Sequence, residues 1–220
     1  MKRFAITPLA ALGILAGTVP AARAADTTCT TPISSGTING NLVVPAGASC
    51  EQVGKGASLI VEPNPGLTVT IGGNVQAAQC NLVGLTPVGG AISVGGNVQI
   101  RNCTGLSGSG YDIGGFGVVT ISGNFTCDNS VFCFAVGGSV RGNVQVNNNS
   151  RGGGGSGAVV GANNVGGNVQ VNNNSGGSAT GVVGNTIGGN LQCAGNTPGV
   201  FDGGLPNTVT GNKQGQCAGL

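Results

Sequence analysis

The sequence predicts an all-β chain folded as a parallel β-helix, a solenoid of seven to eight rungs stapled by disulfides. Three observations predict it: a Gly-Asn unit that recurs along most of the chain, alternation of apolar and polar residues on both sides of that unit, and an unusual composition. Glycine supplies 46 of 220 residues, charged residues 6% and aromatic residues 3%. The glycine share is roughly three times the usual value of about 7%. A chain that is 39% hydrophobic with so little charge does not have the composition of a disordered one. Its glycines do not recur at every third position, which excludes collagen.

The repeat carries most of the argument, because self-similarity at a fixed period outranks local propensity. The unit is centred on Asn41, Asn74, Asn97, Asn124, Asn143, Asn168, Asn190 and Asn212, at spacings of 33, 23, 27, 19, 25, 22 and 22 residues. Ile or Val stands three residues before every one of them, from Ile38 to Val209. The next residue is apolar in seven copies, as Leu42, Val75, Val98, Phe125, Val144, Val169 and Leu191. Gln or Thr and then an apolar residue or Cys follow in six, as in Val169-Gln170-Val171. This is a strand period of two on either side of a bend. Gly-Asn suits a bend because both residues tolerate left-handed backbone. One rung cannot bury its own apolar face, whereas stacked rungs share a continuous column. At about 4.8 Å per rung, seven or eight make a rod of roughly 35 Å. Identical Asn side chains in register can pass amide hydrogen bonds from rung to rung, so the Asn column reads as a structural ladder. Two further Gly-Asn pairs, at Asn185 and Asn196, lack the apolar continuation and stand outside this series. An antiparallel β-sandwich also has short strands, but it does not predict Gly-Asn at one structural offset.

Taken in order, residues 1–24 read as a secretory signal peptide. Lys2 and Arg3 form a charged start, an apolar stretch runs from about residue 8 to 19, and Ala22-Arg23-Ala24 precedes the expected cut. The apolar run is shorter than the roughly 20 residues of a spanning helix, and no later run could span a bilayer. Cleavage leaves five bases against six acids, a net charge of −1. Residues 25–62 are expected to form an N-terminal cap and first rung, and residues 63–220 the repeats with a C-terminal cap. Residues 104–117 and 150–157, both Gly-rich, read as excursions from single rungs. Lys213 takes a position that is apolar in the other copies, as expected of a terminal rung facing water.

All eight cysteines follow the signal segment, and an even number in an exported chain favours disulfides. Cys80 and Cys103 each stand six residues after their Asn in adjacent units, so they stack at a separation a disulfide accepts. Cys193 and Cys217 lie in the last two units, Cys29 and Cys50 flank the N-terminal cap, and Cys127 with Cys133 remains as a local pair. No Cys-x-x-Cys occurs and His is absent, so neither a metal site nor a cofactor is expected.

The lack of His also removes the commonest catalytic base. There is no basic footprint for nucleic acid. Acids are few and scattered, and no unit supplies the two carboxyls that glycoside hydrolysis requires. What remains is a neutral, amide-rich surface: an outward column of Gln76, Gln99, Gln145, Gln170 and Gln192, and stacked patches at Asn147 to Asn149 and Asn172 to Asn174. Amides both donate and accept, which suits neutral polysaccharide or peptide. Tyr111 and Asp112, in the first excursion, are the other candidate ligand contacts.

At Val165-Gly-Gly-Asn-Val-Gln-Val-Asn-Asn-Asn-Ser175 and Ile187-Gly-Gly-Asn-Leu-Gln-Cys193 the chain resembles uncharacterised secreted bacterial β-helix repeat proteins. The opening stretch Thr37-Ile-Asn-Gly-Asn-Leu-Val-Val-Pro-Ala-Gly47 is similar to the start of such proteins. The resemblance implies export and a right-handed coil, and it carries no catalytic residue. The expected role is therefore a secreted or cell-surface, non-catalytic β-helix with structural, adhesive or glycan-binding function. Extracellular polysaccharide or a surface protein is the expected partner, self-association through the solenoid ends being another. The alternative is a polysaccharide-degrading lyase or glycoside hydrolase on the same scaffold.

Overall fold

The structure, a computed structural model, describes residues 27–28, 33, 36–44, 58–61, 66–80, 82–85, 89–104, 118–151, 155 and 157–220. The signal segment, Cys29, Cys50, Tyr111 and Asp112 lie outside the described residues. The fold is all-β, with no helix among the described residues, and its strands stack in parallel as a β-solenoid.

Three sheets form its sides. The first has nine strands: Thr27–Thr28, Leu42–Val44, Val75–Ala78, Val98–Arg101, Phe125–Asp128, Val144–Asn147, Val169–Asn172, Leu191–Ala194 and Lys213–Gly215. The second has eight: Gly36–Ile38, Thr68–Ile71, Ala91–Val94, Val118–Ile121, Gly138–Val140, Asn164–Val165, Thr186–Ile187 and Thr208–Val209. The third side is split into a pair, Ser58–Val61 with Leu82–Leu85, and a four-stranded sheet, Cys133–Val136, Ala158–Gly161, Thr180–Val183 and Val200–Phe201. Every pairing is parallel, and equivalent residues of successive units face each other, as Val75↔Val98 and Val144↔Val169 do. That register excludes the sandwich. The solenoid makes about five turns. The seven to eight rungs expected are more than this, because residues 45–57, 62–65 and 105–117 lie outside the described residues and the earlier turns are followed only in part.

The core is a stack of aliphatic columns. The Ile/Val column of the second sheet (Ile71, Val94, Ile121, Val140, Val165, Ile187) and the first column of the first sheet (Leu42, Val75, Val98, Phe125, Val144, Val169, Leu191) are buried. Full burial of one such side chain contributes about 1.5–3 kcal/mol. β-branched residues dominate because their stiff χ1 suits a pleated surface flanked above and below by copies of itself.

The Gly-Asn corner works differently from the sequence expectation. None of the glycines at 73, 96, 123, 142, 167, 189 and 211 has positive φ. They are required for close approach instead. A Cβ on Gly73, Gly123, Gly142, Gly167, Gly189 or Gly211 would lie 2.5 Å from the Asn Oδ1 of the preceding rung. The glycine N–H groups donate to one another's carbonyls down the stack, as Gly167 does to Gly142 at 3.0 Å. Left-handed backbone occurs at the other two corners: at Asn102, Asn129, Asn148 and Asn173 after the first sheet, and at Gly137, Ala162 and Gly184 before the second.

All three corners carry amide ladders. In the Gly-Asn ladder each Oδ1 accepts two bonds from the next Asn, its N–H and its Nδ2. These are 2.8 and 3.0 Å for Asn74 on Asn41, and 2.8 and 3.3 Å for Asn190 on Asn168. Asn212 closes the column with its backbone N–H on Asn190. The pairs at Asn185 and Asn196, excluded from the repeat, belong to two further ladders that are buried: Asn149, Asn174 and Asn196, and Asn163, Asn185 and Asn207. Asn149 and Asn174, expected in the surface patches, instead turn inward to pair with each other. These run the opposite way, the N–H of the earlier rung donating to the Oδ1 of the later one. Each Nδ2 also reaches a strand carbonyl of the rung before, as Asn174 does to Val146 at 2.8 Å.

The structure contains disulfides Cys80–Cys103, Cys127–Cys133 and Cys193–Cys217, with Cα separations of 4.4, 6.4 and 5.2 Å. The first links successive rungs, and the third ties the C-terminal turn to the last full rung. Cys80 and Cys103 stand in the same column as the buried Asn ladder. Cys103 donates its N–H to Ser130 Oγ, and Ser130 donates its N–H to Asn149 Oδ1.

Two outcomes follow. Gly167→Ala places a methyl against Asn143 Oδ1 and lowers stability by about 2 kcal/mol or more. Gly219→Ala, in open space, leaves the urea midpoint unchanged. Asn174→Ala strands the buried N–H of Asn149 and removes the second bond to the Val146 carbonyl. It lowers stability by about 3 kcal/mol, against about 1 kcal/mol for the exposed Asn168→Ala, in the same urea titration.

Candidate functional site

The outward residues of each sheet are read directly from strand alternation and register. On the first sheet they are mostly amides: Gln76, Gln99, Gln145, Gln170, Gln192 and Gln214 stand in one column, preceded by Val43 and interrupted by Thr126. Gln145 donates through Nε2 to Oε1 of Gln170 at 3.2 Å. A second column beside it holds Arg101, Asp128, Asn147 and Asn172 in adjacent rungs. Asn147 Nδ2 donates to Asp128 Oδ1 at 3.2 Å.

The two described members of the predicted ligand set, Asn147 and Asn172, are thus direct neighbours. Both are half-buried, and the Oδ1 of each is covered without a hydrogen-bond partner. An unmade bond to such an acceptor costs about 1–3 kcal/mol, so a donor from outside the chain is rewarded once the covered amide turns outward to meet it. Beyond this patch, Asn148 and Asn173 sit exposed on left-handed backbone, and Asn173 Nδ2 donates to Asn148 Oδ1 at 3.3 Å.

On the second sheet the outward column is Thr37, Thr70, Ser93, Thr120, Ser139, Asn164, Thr186 and Thr208. It is hydroxyl-rich and carries no charge.

The third side breaks the rule. Its outward residues are Phe134, Val159, Gly181 and Phe201 in one column and Val136, Gly161 and Val183 in the other. Phe201 is 44% exposed and Leu205, beyond it, 61%. Phe132 and Phe134 meet edge-on, and the Arg151 guanidinium carbon lies 4.7 Å over the Phe132 ring. No sequence expectation pointed to this face. A signal was present: Ala158-Val-Val-Gly and Thr180-Gly-Val-Val lose the apolar–polar alternation that Val144–Asn147 and Val169–Asn172 keep.

Carboxylate side chains among the described residues are Asp128, on the first sheet, and Asp202, whose Oδ1 accepts the N–H of Gly204 in a turn after Phe201. Among the described residues no three His, Cys, Asp or Glu side chains stand close enough to share a metal ion. No helix there is long and apolar enough to cross a membrane. Comparison with family models, curated proteins and solved structures returns no match. The functional reading therefore rests on the geometry of these three faces.

One core group has no partner either: Thr180, fully buried in the third sheet, leaves its Oγ1 without a hydrogen bond. Thr180→Val keeps the shape and removes the stranded hydroxyl. The variant is expected to gain about 1 kcal/mol, read as a higher urea midpoint at unchanged slope.

Proposed function

We propose that this chain is an exported, non-catalytic adhesive element: a right-handed β-helix of seven to eight rungs that presents its amide sheet to neutral extracellular glycan. The observation that supports this most directly is the register-aligned block of outward amides Gln145 and Gln170 beside Asn147 and Asn172, the last two with amide oxygens that no group of the chain engages. Sugar hydroxyls donate to amide oxygens and accept from amide N–H groups, and a neutral surface needs no charged partner. Rigidity comes from the corner ladders, so the backbone that carries these side chains is held in place before a ligand arrives. Eight Gly-Asn units support the rung number, and the resemblance to secreted repeat proteins supports the hand. Export is supported by the charged and apolar start of the chain. The three disulfides are consistent with an oxidising, extracellular setting.

The test uses residues 25–220 passed over immobilised neutral cell-wall and extracellular glycans, with retention and soluble product scored separately. Retention without product is expected. The fourfold variant Q145A/N147A/Q170A/N172A should lose about tenfold or more in affinity, roughly the effect of one or two good hydrogen bonds. Product release at a rate above buffer would instead favour a glycan-cleaving enzyme and overturn the proposal.

A further inference from the structure

The aliphatic third side is the outlier on a molecule whose other two faces are polar. Along its edge lies an open groove of about 480 Å³, lined by Val136, Val159, Gly161, Val183, Leu205 and Pro206 among others, with no charged side chain in its wall. The groove crosses the strands, so it follows the stacking axis past four successive rungs. A glycine makes it concave. Gly161 is in the outward column where the neighbouring rungs carry Val136 and Val183. The missing side chain at this level leaves a trough between valines, and Leu205 stands over its upper end.

A concave, apolar-lined groove has the form of a small-ligand site, and its dimensions restrict the occupant. Four short strands at about 4.8 Å spacing offer a footprint on the order of 200 Å², far below the roughly 800 Å² per partner of a stable protein interface. A folded second chain is therefore a poor fit. The volume lies within the range of small-ligand sites, about 300–1,000 Å³. A wall without charge or free backbone donors offers nothing to a polar ligand. Strand N–H groups beneath it are already engaged with adjacent rungs, as Ala162 N–H is with Val183 O at 2.8 Å. A narrow, straight, uncharged trough matches a straight, uncharged chain. We propose that this groove binds a single unbranched acyl chain, laid parallel to the solenoid axis across the valine ridges and the glycine floor.

Gly161 provides the decisive variant. Its φ is not left-handed, and a Cβ there would make ordinary contacts of 3.5 Å to Val183 O and 3.8 Å to Val183 Cβ. Gly161→Leu thus fills the trough without forcing the backbone. The probe is cis-parinaric acid, a fatty acid that fluoresces in apolar surroundings, titrated into residues 25–220 and then displaced with palmitate. Saturable binding at one chain per protein is expected. Gly161→Leu should weaken it by about tenfold or more, with the circular-dichroism spectrum and melting point kept. If that variant does not fold, Leu205→Asn, at the exposed rim, should weaken it severalfold instead. Absence of saturable binding, or equal affinity in the folded variants, overturns the proposal. So does a dimer in sedimentation equilibrium that Leu205→Asn dissociates, which would give the face to a second copy. Association with phosphatidylcholine vesicles but not with the monomeric fatty acid would overturn it too, in favour of a bilayer surface.

Discussion

At the Gly-Asn corner a glycine carbonyl and an asparagine amide oxygen are held against the glycine of the next rung at distances no β-carbon could tolerate. This closeness lets one Oδ1 take both the N–H and the Nδ2 of the following asparagine, which fixes the vertical offset between rungs. With that offset set, register follows on the adjoining strands. A slip by one residue would turn every buried valine outward and every glutamine inward. The columns of Val, Ile and Leu then supply the larger share of stability, but they do not choose the register alone. Aliphatic side chains of similar size would accept several offsets, whereas a bifurcated amide acceptor over a bare Cα accepts one.

The three ladders divide the work by direction and by burial. Oxygens of the Gly-Asn ladder point to later rungs, and those of the two buried ladders point to earlier ones, so the side-chain dipoles oppose each other along the stack. Inside, an unpaired amide would be severely destabilising, so the buried ladders must begin and end on something. Below Asn149 the partner is Ser130, and below Ser130 the column becomes the Cys80–Cys103 disulfide. Above Asn196 the ladder ends on Gln216, whose longer side chain reaches back from a different phase: its Oε1 accepts both the N–H and the Nδ2 of Asn196 at 2.8 and 3.0 Å. The same C-terminal turn carries Cys217, bonded to Cys193, and brings Leu220 against the core. Lys213, polar where its counterparts are apolar, donates to the Leu220 carbonyl. The upper end is thus closed by a covalent bond, an amide and a cation acting on a few adjacent residues.

Repetition made much of this legible in sequence, and its limits follow from what repetition hides. The strand pairs, the parallel stacking and the Cys80–Cys103 bridge are visible as equal offsets from one asparagine, whereas Cys193–Cys217 follows from its place in the last two units and Cys127–Cys133 from being the local pair that remains. What glycine does at the corner was not, because a left-handed bend and a close approach select the same residue. Only the neighbouring rung distinguishes them. The buried ladders were missed for a related reason. Asn149, Asn163 and Asn174 lie in Asn-rich runs where composition drowns position, and Asn185 and Asn196 carry the Gly-Asn pair without its apolar sequel. Asn147 and Asn172 could be placed side by side from spacing, but the missing partner of each oxygen is a property of three dimensions.

The faces of the coil show how one backbone rule leaves room for three chemistries. Inward positions are bound by packing and vary little. Outward positions carry no such duty, yet each face leans to one character: amides on the first, with Thr126, Arg101 and Asp128 among them, hydroxyls on the second, and aliphatic and aromatic groups on the third. Solubility alone would accept any mixture of polar residues and would disfavour Phe201 and Leu205 at the surface. Uniformity within a column has a physical consequence that a mixture lacks. Side chains repeated at one spacing along a rigid axis present a linear partner with the same contact at each step, so contributions add without separate ordering of each group. The same backbone rule thus leaves the outward chemistry of each face free to differ while the inward columns stay fixed by packing.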